Sequence, residues 1–243
     1  MNLVLDIGNT HIKAALFNGA NLIESISVSY SELSKFFTFL SKISFDHIGL
    51  TKVRNIPDDL QVFLEENRSK TIIINTDLTD LPIEIDYATP QTLGDDRICN
   101  AIAGHITYPN ENVLVIDLGT CNKYDLIDLK GVYHGGSISP GFKMRLDSMH
   151  HFTDQLPLLS PESIEQLTGD STQNSMLTGA FHGMIGEIIF FIEQYKSNFS
   201  DLKVILTGGF ATYFDKALKN HIFADPYLTL RGLNEILNFQ VDK

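Results

Sequence analysis

The sequence predicts an α/β fold made of two similar halves, and three features support this expectation. Residues 1–5, 11–17 and 22–29 are apolar or alternate apolar with polar residues, as the three antiparallel strands of a meander do. Helical and strand-like patterns follow in turn. An apolar strand that ends in Asp-x-Gly occurs at Asp6 and again at Asp117, 111 positions later in a chain of 243 residues.

The elements after the meander complete the first half. Residues 31–40 have helical spacing with Ser31 as the expected N-cap, and residues 57–67 form a second predicted helix opened by Pro57. Strands are predicted at residues 47–53 and 71–75. The resulting order β-β-β-α-β-α-β is that of a ribonuclease H-like half. We therefore expect one such half at residues 1–111 and a second at residues 112–243.

The second half repeats the plan. Strands are predicted at residues 113–117, 123–128, 132–138 and 203–206, and helices at residues 142–150, 162–167, 173–195 and 228–239. Ser171 or Thr172 is expected to cap the long helix, and the last helix to pack back on the core.

Two groups of glycines stand out in this half. Residues 135–141 contain the densest glycine cluster, where the backbone can approach either a ligand or a neighbouring strand. Gly179, Gly183 and Gly186 form a stripe of small residues on the long helix. This stripe permits close helix packing or a contact between subunits.

Composition and charge favour a soluble cytoplasmic protein. The net charge is −12, from 18 basic and 30 acidic residues, which argues against a nucleic-acid or anionic-membrane partner. Cys99 and Cys121 lack metal-ligand spacing, as expected in a reducing compartment. Asp6 interrupts the only apolar run that resembles a secretory leader, and no run reaches about 18 apolar residues, since residues 184–192 contain Glu187.

The two Asp-x-Gly turns are candidate phosphate sites. Gly8 can adopt a positive φ, and an Asn/Thr turn presents backbone N–H groups and a hydroxyl to a phosphate oxygen. Asp6, at the end of a buried strand, can hold Mg²⁺ through water. A single turn of this kind is an ordinary hairpin, but two copies after two strands favour a shared function. The strand that ends in Thr207-Gly208-Gly209 has a common nucleotide-contact geometry, and is also a common turn.

The polar stretch at residues 87–100 carries adjacent acids. Pro90 and Gly94 mark a loop, Asp95 is expected to cap a helix over residues 97–107, and Asp96 is expected to be free. Adjacent helical side chains point about 100° apart, so the two acids cannot form a paired acid/base dyad. The alternative is that both are solvated acids that favour the helix dipole.

Several other chemistries have no support in the sequence. His150 and His151 are adjacent and cannot share a metal from one helix face, and no zinc or EF-hand spacing occurs. Gly-x-Ser-x-Gly and Walker A motifs are both absent. Any use of ATP must therefore depend on the two Asp-x-Gly turns.

The motifs together resemble type III pantothenate kinase from end to end. The matching segments are Asp6-Ile7-Gly8-Asn9-Thr10 with Lys13, Tyr87, Gly94-Asp95-Asp96-Arg97 with Asn100, Asp117-Leu118-Gly119-Thr120, the glycines at residues 135–141, Ser171-Thr172 and Leu206-Thr207-Gly208-Gly209. The resemblance implies an acetate and sugar kinase/actin-like fold of two ribonuclease H-like halves, and a homodimer. It also implies transfer of the ATP γ-phosphate to the 4′-hydroxyl of pantothenate, the first step of coenzyme A synthesis.

The resemblance also implies roles for individual residues. Asp96 is the expected general base, and Thr172 is expected to reach the site from the partner subunit. Mg²⁺ and a monovalent cation, K⁺ or NH₄⁺, are expected near carboxylates. The implied phosphate and nucleotide contacts are Asp6, Gly8, Asn9, Thr10, Lys13, Gly119, Thr120, Gly208 and Gly209; the substrate contacts are Tyr87, Gly94, Asp95, Asp96, Arg97 and Thr172; and the metal-binding carboxylates are Asp6, Asp117 and Asp125.

One departure from the family pattern follows the second turn. Family members continue with small and hydroxyl residues before an Asp that helps to bind the monovalent cation, whereas here Cys121-Asn122-Lys123-Tyr124 precedes Asp125. Either Lys123 points outward, or its ammonium replaces the cation. The altered turn also leaves open a regulatory relative with little activity, and fold alone leaves open a kinase of another small acid or sugar.

Overall fold

The computed structural model describes residues 1–52, 56–74, 80–214, 218 and 222–242, and the statements below concern this part of the chain. It divides into two compact units. Unit 1 comprises Met1–Thr107, Gly131–Tyr133 and Tyr227–Lys243, and unit 2 comprises Tyr108–Lys130 and His134–Pro226.

The strands and helices alternate along the chain much as the sequence predicts. In chain order they are β1 (Asn2–Ile7), β2 (His11–Asn18), β3 (Asn21–Ser29), α1 (Leu33–Leu40), β4 (His47–Lys52), α2 (Asp58–Glu66), β5 (Thr71–Ile73), β6 (Glu84–Ile85), α3 (Asp95–Thr107), β7 (Val113–Leu118), β8 (Cys121–Ile127), β9 (Val132–Pro140), α4 (Phe142–His151), α5 (Thr172–Asn198), β10 (Lys203–Thr207), α6 (Ala211–Phe214), β11 (Phe223–Ala224) and α7 (Leu228–Val241).

The main sheet of unit 1 has the strand order β3-β2-β1-β4-β5. The β1–β2 and β2–β3 pairs are antiparallel, which confirms the predicted meander, and the β1–β4 and β4–β5 pairs are parallel. All six residues of β1 are buried. Leu3 and Leu5 lie in a cluster with residues of α1 and α2, while Leu237 of α7 lies beside Gly49 of β4. The central strand is apolar on both faces because helices cover both faces.

The last helix packs on the core, as predicted, and it does so within unit 1. Gly232 of α7 lies so close to α3 that a Cβ there would be 1.8 Å from the Cys99 carbonyl oxygen. The compact units therefore do not follow the division at residues 111 and 112, because the chain returns to unit 1 after residue 226. The division of the chain into halves at residues 1–111 and 112–243 stays a prediction.

Gly232→Ala is expected to destabilise the protein by about 1–3 kcal/mol, because the helices must separate to admit the new methyl group. In an open helical position the same change would instead stabilise by about 1 kcal/mol through helix propensity, so the sign of the effect is informative. Urea unfolding measures it. Val241→Ala, at a residue 37% exposed at the end of the same helix, is the control and should change stability by less than about 0.5 kcal/mol. An unchanged free energy of unfolding for Gly232→Ala would contradict the close crossing.

Unit 2 contains the strand order β11-β10-β7-β8-β9, which repeats the plan of unit 1. β7 pairs antiparallel with β8 and parallel with β10, and β10 pairs parallel with β11. Alternate residues of β7 pack with α4 and α5 in one apolar cluster, to which Phe142, Leu146 and Met184 contribute. In both units the first strand therefore lies at the centre of the sheet and ends in an Asp-x-Gly turn.

The long helix α5 has both the length and the apolar composition to cross a membrane, so the expectation that no segment would qualify is too strict. A buried core helix meets the same criteria. The unit 2 cluster includes four apolar residues of α5: Met176, Ala180, Ile188 and Ile192. Glu187, on the same helix, accepts a hydrogen bond from the Tyr124 hydroxyl of β8. These contacts are those of a core helix.

Some local predictions are wrong. Residues 162–167 are not helical; instead Ile164 packs on the unit 2 cluster, and the Gln166 carbonyl lies 3.2 Å from His182 Nε2. Ser31 lies inside a 3₁₀ turn, Tyr30–Glu32, and does not cap α1. Pro57 precedes α2 as its N-cap residue. The predicted strand ends at Val53 and Asn75 lie outside the described residues.

Candidate active site

The first Asp-x-Gly turn of unit 1 is built by backbone hydrogen bonds between β1 and β2. The Gly8 N–H donates to the His11 carbonyl at 3.0 Å, and the Tyr30 hydroxyl donates to the Gly8 carbonyl at 2.7 Å. Gly8 does not have a positive φ, contrary to our expectation. Space at this position is instead tight, because a Cβ would lie 3.1 Å from the His11 oxygen. Asn9 and Thr10, at the tip, are exposed and can contact a ligand.

Asp6 lies directly beneath this turn and is 9% exposed. Its cross-strand partners are Lys13 on β2 and Thr51 on β4, and the Thr51 hydroxyl lies 3.4 Å from Asp6 Oδ1. Opposed residues of neighbouring strands point to the same face, so Lys13 and Asp6 share one face of the sheet. A mostly buried carboxylate beside an exposed turn fits a water-mediated Mg²⁺ ligand.

The Asp95-Asp96 pair lies in the first turn of α3, in unit 1. The helix begins at Asp95, so Asp95 is inside the helix and does not precede it as a cap residue. Asp96 is not free, because its Oδ1 accepts a hydrogen bond of 2.9 Å from the Arg97 backbone N–H. A Cβ on Gly94 would lie 2.7 Å from the same oxygen. Gly94 thus makes room for the Asp96 carboxylate, and the Arg97 N–H fixes its direction.

Cys99, on α3, lies in the same compact unit as Asp6 and the Asp95-Asp96 pair. This thiol is fully buried, and burial is the largest cause of its raised pKa. The carboxylates of Asp6, Asp95 and Asp96 also raise the pKa of Cys99. All three acids therefore act electrostatically on one thiol, and the first turn and the Asp95-Asp96 pair belong to the same compact unit.

Arg97 is a buried cation that lies beside two neighbouring aromatic rings. It is 4% exposed, and its guanidinium carbon lies 5.7 Å from the centre of the Tyr87 ring and 5.9 Å from that of Tyr133. These are cation–π distances. The sequence identified Tyr87 through the resemblance but missed Tyr133, whose only signal is an aromatic residue in a predicted strand. The arrangement keeps a planar donor group in place to bind a carboxylate.

The second Asp-x-Gly turn, in unit 2, is closed by other glycines. The Gly119 N–H donates to the Cys121 carbonyl at 3.3 Å, and the Gly141 N–H donates to the Thr120 carbonyl at 3.2 Å. A Cβ on Gly141 would lie 2.4 Å from the Gly119 oxygen, and one on Gly136 would lie 1.7 Å from the Tyr124 oxygen. The cluster at residues 135–141 therefore admits neighbouring backbone, the second of the two alternatives left open by the sequence.

Gly208 brings the turn after β10 against this second site. Its φ is +95°, which favours glycine, and a Cβ would lie 2.5 Å from Asp117 Oδ1. Gly209 is exposed with open space where a side chain would be. Asp117 is 8% exposed, and its Oδ2 accepts a hydrogen bond of 2.8 Å from Lys123 Nζ. Lys123 therefore points inward, and the outward-pointing alternative is wrong.

The remaining predicted residues stand apart from these contacts. Thr172 is the exposed first residue of α5, and the Ser171 hydroxyl caps that helix by accepting from the Asn174 N–H at 3.2 Å. Asp125 is 1% exposed on β8. Within the described ranges, no group of three or more His, Cys, Asp or Glu side chains is arranged to hold a metal. Mg²⁺ characteristically uses one or two carboxylates together with substrate phosphates, so Asp6, Asp117 and Asp125 stay predicted ligands.

Comparison with known proteins agrees with this geometry. Residues 2–194 match the sequence profile of the family described as type III pantothenate kinase. The type III pantothenate kinase of Cytophaga hutchinsonii is 41% identical over 99% of this chain and 100% of its own length. A Baf family protein from Campylobacter jejuni, proposed to be a transcriptional activator, has a TM-score of 0.60 at 20% identity, covering 99% of this chain and 100% of its own.

A second solved structure supports the fold class. The inorganic polyphosphate/ATP-glucomannokinase of Arthrobacter sp. strain KM has a TM-score of 0.51 at 14% identity, covering 98% of both chains. At such identities the likeness shows the fold alone, and it confirms the acetate and sugar kinase/actin-like class. The sequence similarity is far stronger and extends along the whole chain. The chain belongs to the type III pantothenate kinase family.

Proposed function

We propose that this protein transfers the γ-phosphate of ATP to the 4′-hydroxyl of pantothenate, in the first step of coenzyme A biosynthesis. Family membership supports the reaction. The start of α3 supports the assignment of this reaction to particular residues. There the oriented Asp96 carboxylate is followed directly by the buried Arg97 guanidinium. Arg97 is thus proposed to bind the carboxylate of pantothenate, and the neighbouring Asp96 to act as the base for the pantothenate hydroxyl.

Asp96 acts as the general base. Its carboxylate accepts the proton of the attacking hydroxyl as the new O–P bond forms, and the bond from the γ-phosphorus to the β–γ bridging oxygen breaks to release ADP. The Arg97 N–H holds one carboxylate oxygen, so the group is ordered before substrate binds. Gly94 leaves the space that the carboxylate needs.

Each of the two turns is suited to bind a phosphate group. The exposed tip of the first turn offers N–H and hydroxyl donors from Asn9 and Thr10, with Lys13 on the same strand face as Asp6. Gly119 and Thr120 contribute in the same way from the second turn, and Gly208 and Gly209 contact the adenosine. Asp6 would hold Mg²⁺, which would supply positive charge to neutralise the phosphates.

Initial rates with ATP and a panel of acceptors test the function. Pantothenate should be phosphorylated, while acetate and simple sugars should not. Preferred transfer to a sugar or to another small acid would contradict the substrate assignment. Absence of transfer to every acceptor, from a folded protein that binds ATP, would favour the regulatory alternative.

We further propose a cytoplasmic homodimer in which each site uses Thr172 of the partner subunit. The exposed position of Thr172 at the start of α5 supports this, as does the exposed stripe of Gly179, Gly183 and Gly186 on that helix. Free cysteines suit a reducing compartment. We propose no nucleic-acid or membrane partner.

A mixed dimer tests the shared site. Asp96→Asn and Thr172→Val subunits should each be inactive alone, and refolding them together should restore about a quarter of wild-type activity, because half the dimers are mixed and each holds one intact site. Refolded wild-type protein is the control. Mixed dimers that form without any recovery would show that each subunit carries a complete site.

A further inference from the structure

We propose that the Lys123 ammonium is a built-in monovalent cation of the second turn, so that this enzyme requires no added K⁺ or NH₄⁺. The inference rests on the proposed function, since it concerns the charge around bound phosphates. It departs from the family resemblance, which implies a free cation beside Asp125. The reasons lie in the register of β8, in its packing and in the charges that surround the turn.

The register places Lys123 on the face of the sheet that carries both acids. Lys123 is the direct cross-strand partner of Asp117, at the end of β7. Asp125 follows two residues later on β8 and therefore points to the same face as Lys123. The ion pair between Lys123 and Asp117 spans 2.8 Å, with side chains only 16% and 11% exposed. Lys123 is held in place beside the turn.

The opposite face of β8 holds this register in place. Asn122 and Tyr124, on either side of Lys123, both donate to Glu187 Oε1 of α5, at 3.4 Å and 2.7 Å. Tyr124 is fully buried and stacks on Phe191 with ring centres 4.2 Å apart. A slip of one residue would move Lys123 into this core, so the register is strongly determined.

Glu187 is suited to anchor the strand because it stays ionised. Burial, the largest single effect, raises the pKa of Glu187, but hydrogen bonds from Ser139, Tyr124 and Arg145 together outweigh it and leave the pKa lowered. Arg145 also forms an ion pair with Glu187. An ionised, multiply bonded acid beneath β8 keeps Lys123 directed toward the turn.

Charge explains why a cation is needed there. Asp117 and Asp125 are buried carboxylates, 8% and 1% exposed, next to a turn proposed to bind polyphosphate. Like charges in a region of reduced dielectric repel strongly, so these acids oppose phosphate binding unless a cation accompanies them. The Lys123 ammonium supplies one positive charge with three donors. Because it is covalently attached, it requires no ion from solution.

A free cation on the Asp117 side of the turn does not fit this arrangement, because the Lys123 ammonium already lies there. Lys123 donates a hydrogen bond to Asp117 Oδ2, and a side chain on Gly208 would clash with Asp117 Oδ1. One carboxylate oxygen of Asp117 is thus already paired with a cation on the face where an ion would bind.

Two measurements test the inference. The initial rate of wild-type enzyme should be unchanged when K⁺ replaces a large organic cation at constant ionic strength. Lys123→Ala should lower kcat/KM for ATP by about 10²-fold. Added K⁺ or NH₄⁺ should restore kcat/KM of this variant to at least about a tenth of the wild-type value. Lys123→Arg should stay independent of K⁺. Lys130→Ala, an exposed turn lysine, is the matched control and should behave as wild type.

The melting temperature with ATP bound gives a readout that does not depend on turnover. K⁺ should raise it for Lys123→Ala and leave it unchanged for wild type, as linkage to a newly formed ion site requires. Steep K⁺ activation of the wild type, or a Lys123→Ala variant indifferent to K⁺ in both measurements, would overturn the inference. If the wild type phosphorylates no acceptor but the melting temperatures behave as expected, the proposed function fails and the ion assignment stands.

Discussion

Replacing Asp96 by Asn is expected to lower the turnover rate by about 10² to 10⁴ while ATP affinity stays nearly unchanged. The amide keeps the size of the side chain and the oxygen that accepts from the Arg97 N–H, so the start of α3 should not change. It cannot, however, take the proton of the pantothenate hydroxyl. Turnover measured at saturating ATP and pantothenate, together with ATP binding by calorimetry, checks both parts.

Asp95→Asn is the matched control for this change. Asp95 adjoins Asp96, is half-buried and lies in the same helical turn. Its loss removes a favourable interaction with the helix dipole, worth about 0.3–1 kcal/mol of stability, and should have little effect on turnover. If Asp95→Asn is the inactive protein and Asp96→Asn the active one, the base is assigned one residue out of register.

Arg97→Lys is expected to raise KM for pantothenate by about 10²-fold, with a much smaller effect on KM for ATP. Loss of a buried, hydrogen-bonded charged partner costs about 2–5 kcal/mol, and lysine lacks the planar fork that binds a carboxylate through two hydrogen bonds. Steady-state kinetics with each substrate varied in turn measure the difference.

The control for Arg97→Lys is Tyr133→Phe, which keeps the ring beside the guanidinium. The Tyr133 ring centre lies 5.9 Å from the Arg97 guanidinium carbon, and this cation–π contact does not require the hydroxyl. KM for pantothenate should change little in this variant. An Arg97→Lys enzyme with normal KM for pantothenate and a lowered melting temperature would show that Arg97 supports the fold and does not bind substrate.

The sequence predicted the sheets better than the helix ends. The meander of β1, β2 and β3 was predicted from the apolar run of β1 and the alternation of apolar and polar residues in β2 and β3, and β7 from its apolar run. Both patterns reflect which faces of a strand are buried. Ser31 was misassigned because it lies in a local 3₁₀ turn, where its hydroxyl is 2.8 Å from that of Ser29. Residues 162–167 were misassigned because tertiary contacts outweighed local preference. Within residues 162–167, Ile164 packs on the unit 2 cluster without forming a helix. An apolar residue that packs in this way produces the same sequence pattern as one face of an amphipathic helix.

The candidate site divides in the same way. Motifs that are continuous in sequence, such as Gly94 to Arg97, could be identified before the structure. Contacts between residues that are distant in sequence could not be identified in this way. Examples are Thr51, which lies opposite Asp6, and Tyr133, which lies beside Arg97. The direction of Lys123 was also beyond the sequence, since it depends on the contacts that Asn122 and Tyr124 make with α5.

The most direct test of the central claim is the stoichiometry of product formation by purified wild-type enzyme, followed by phosphorus NMR. With ATP, Mg²⁺ and pantothenate in a buffer whose only added monovalent cation is a large organic one, the account predicts 4′-phosphopantothenate and ADP in equal amounts. Asp96→Asn should form almost none of either product. Formation of ADP without phosphorylated pantothenate, or phosphorylation only after K⁺ is added, would contradict it.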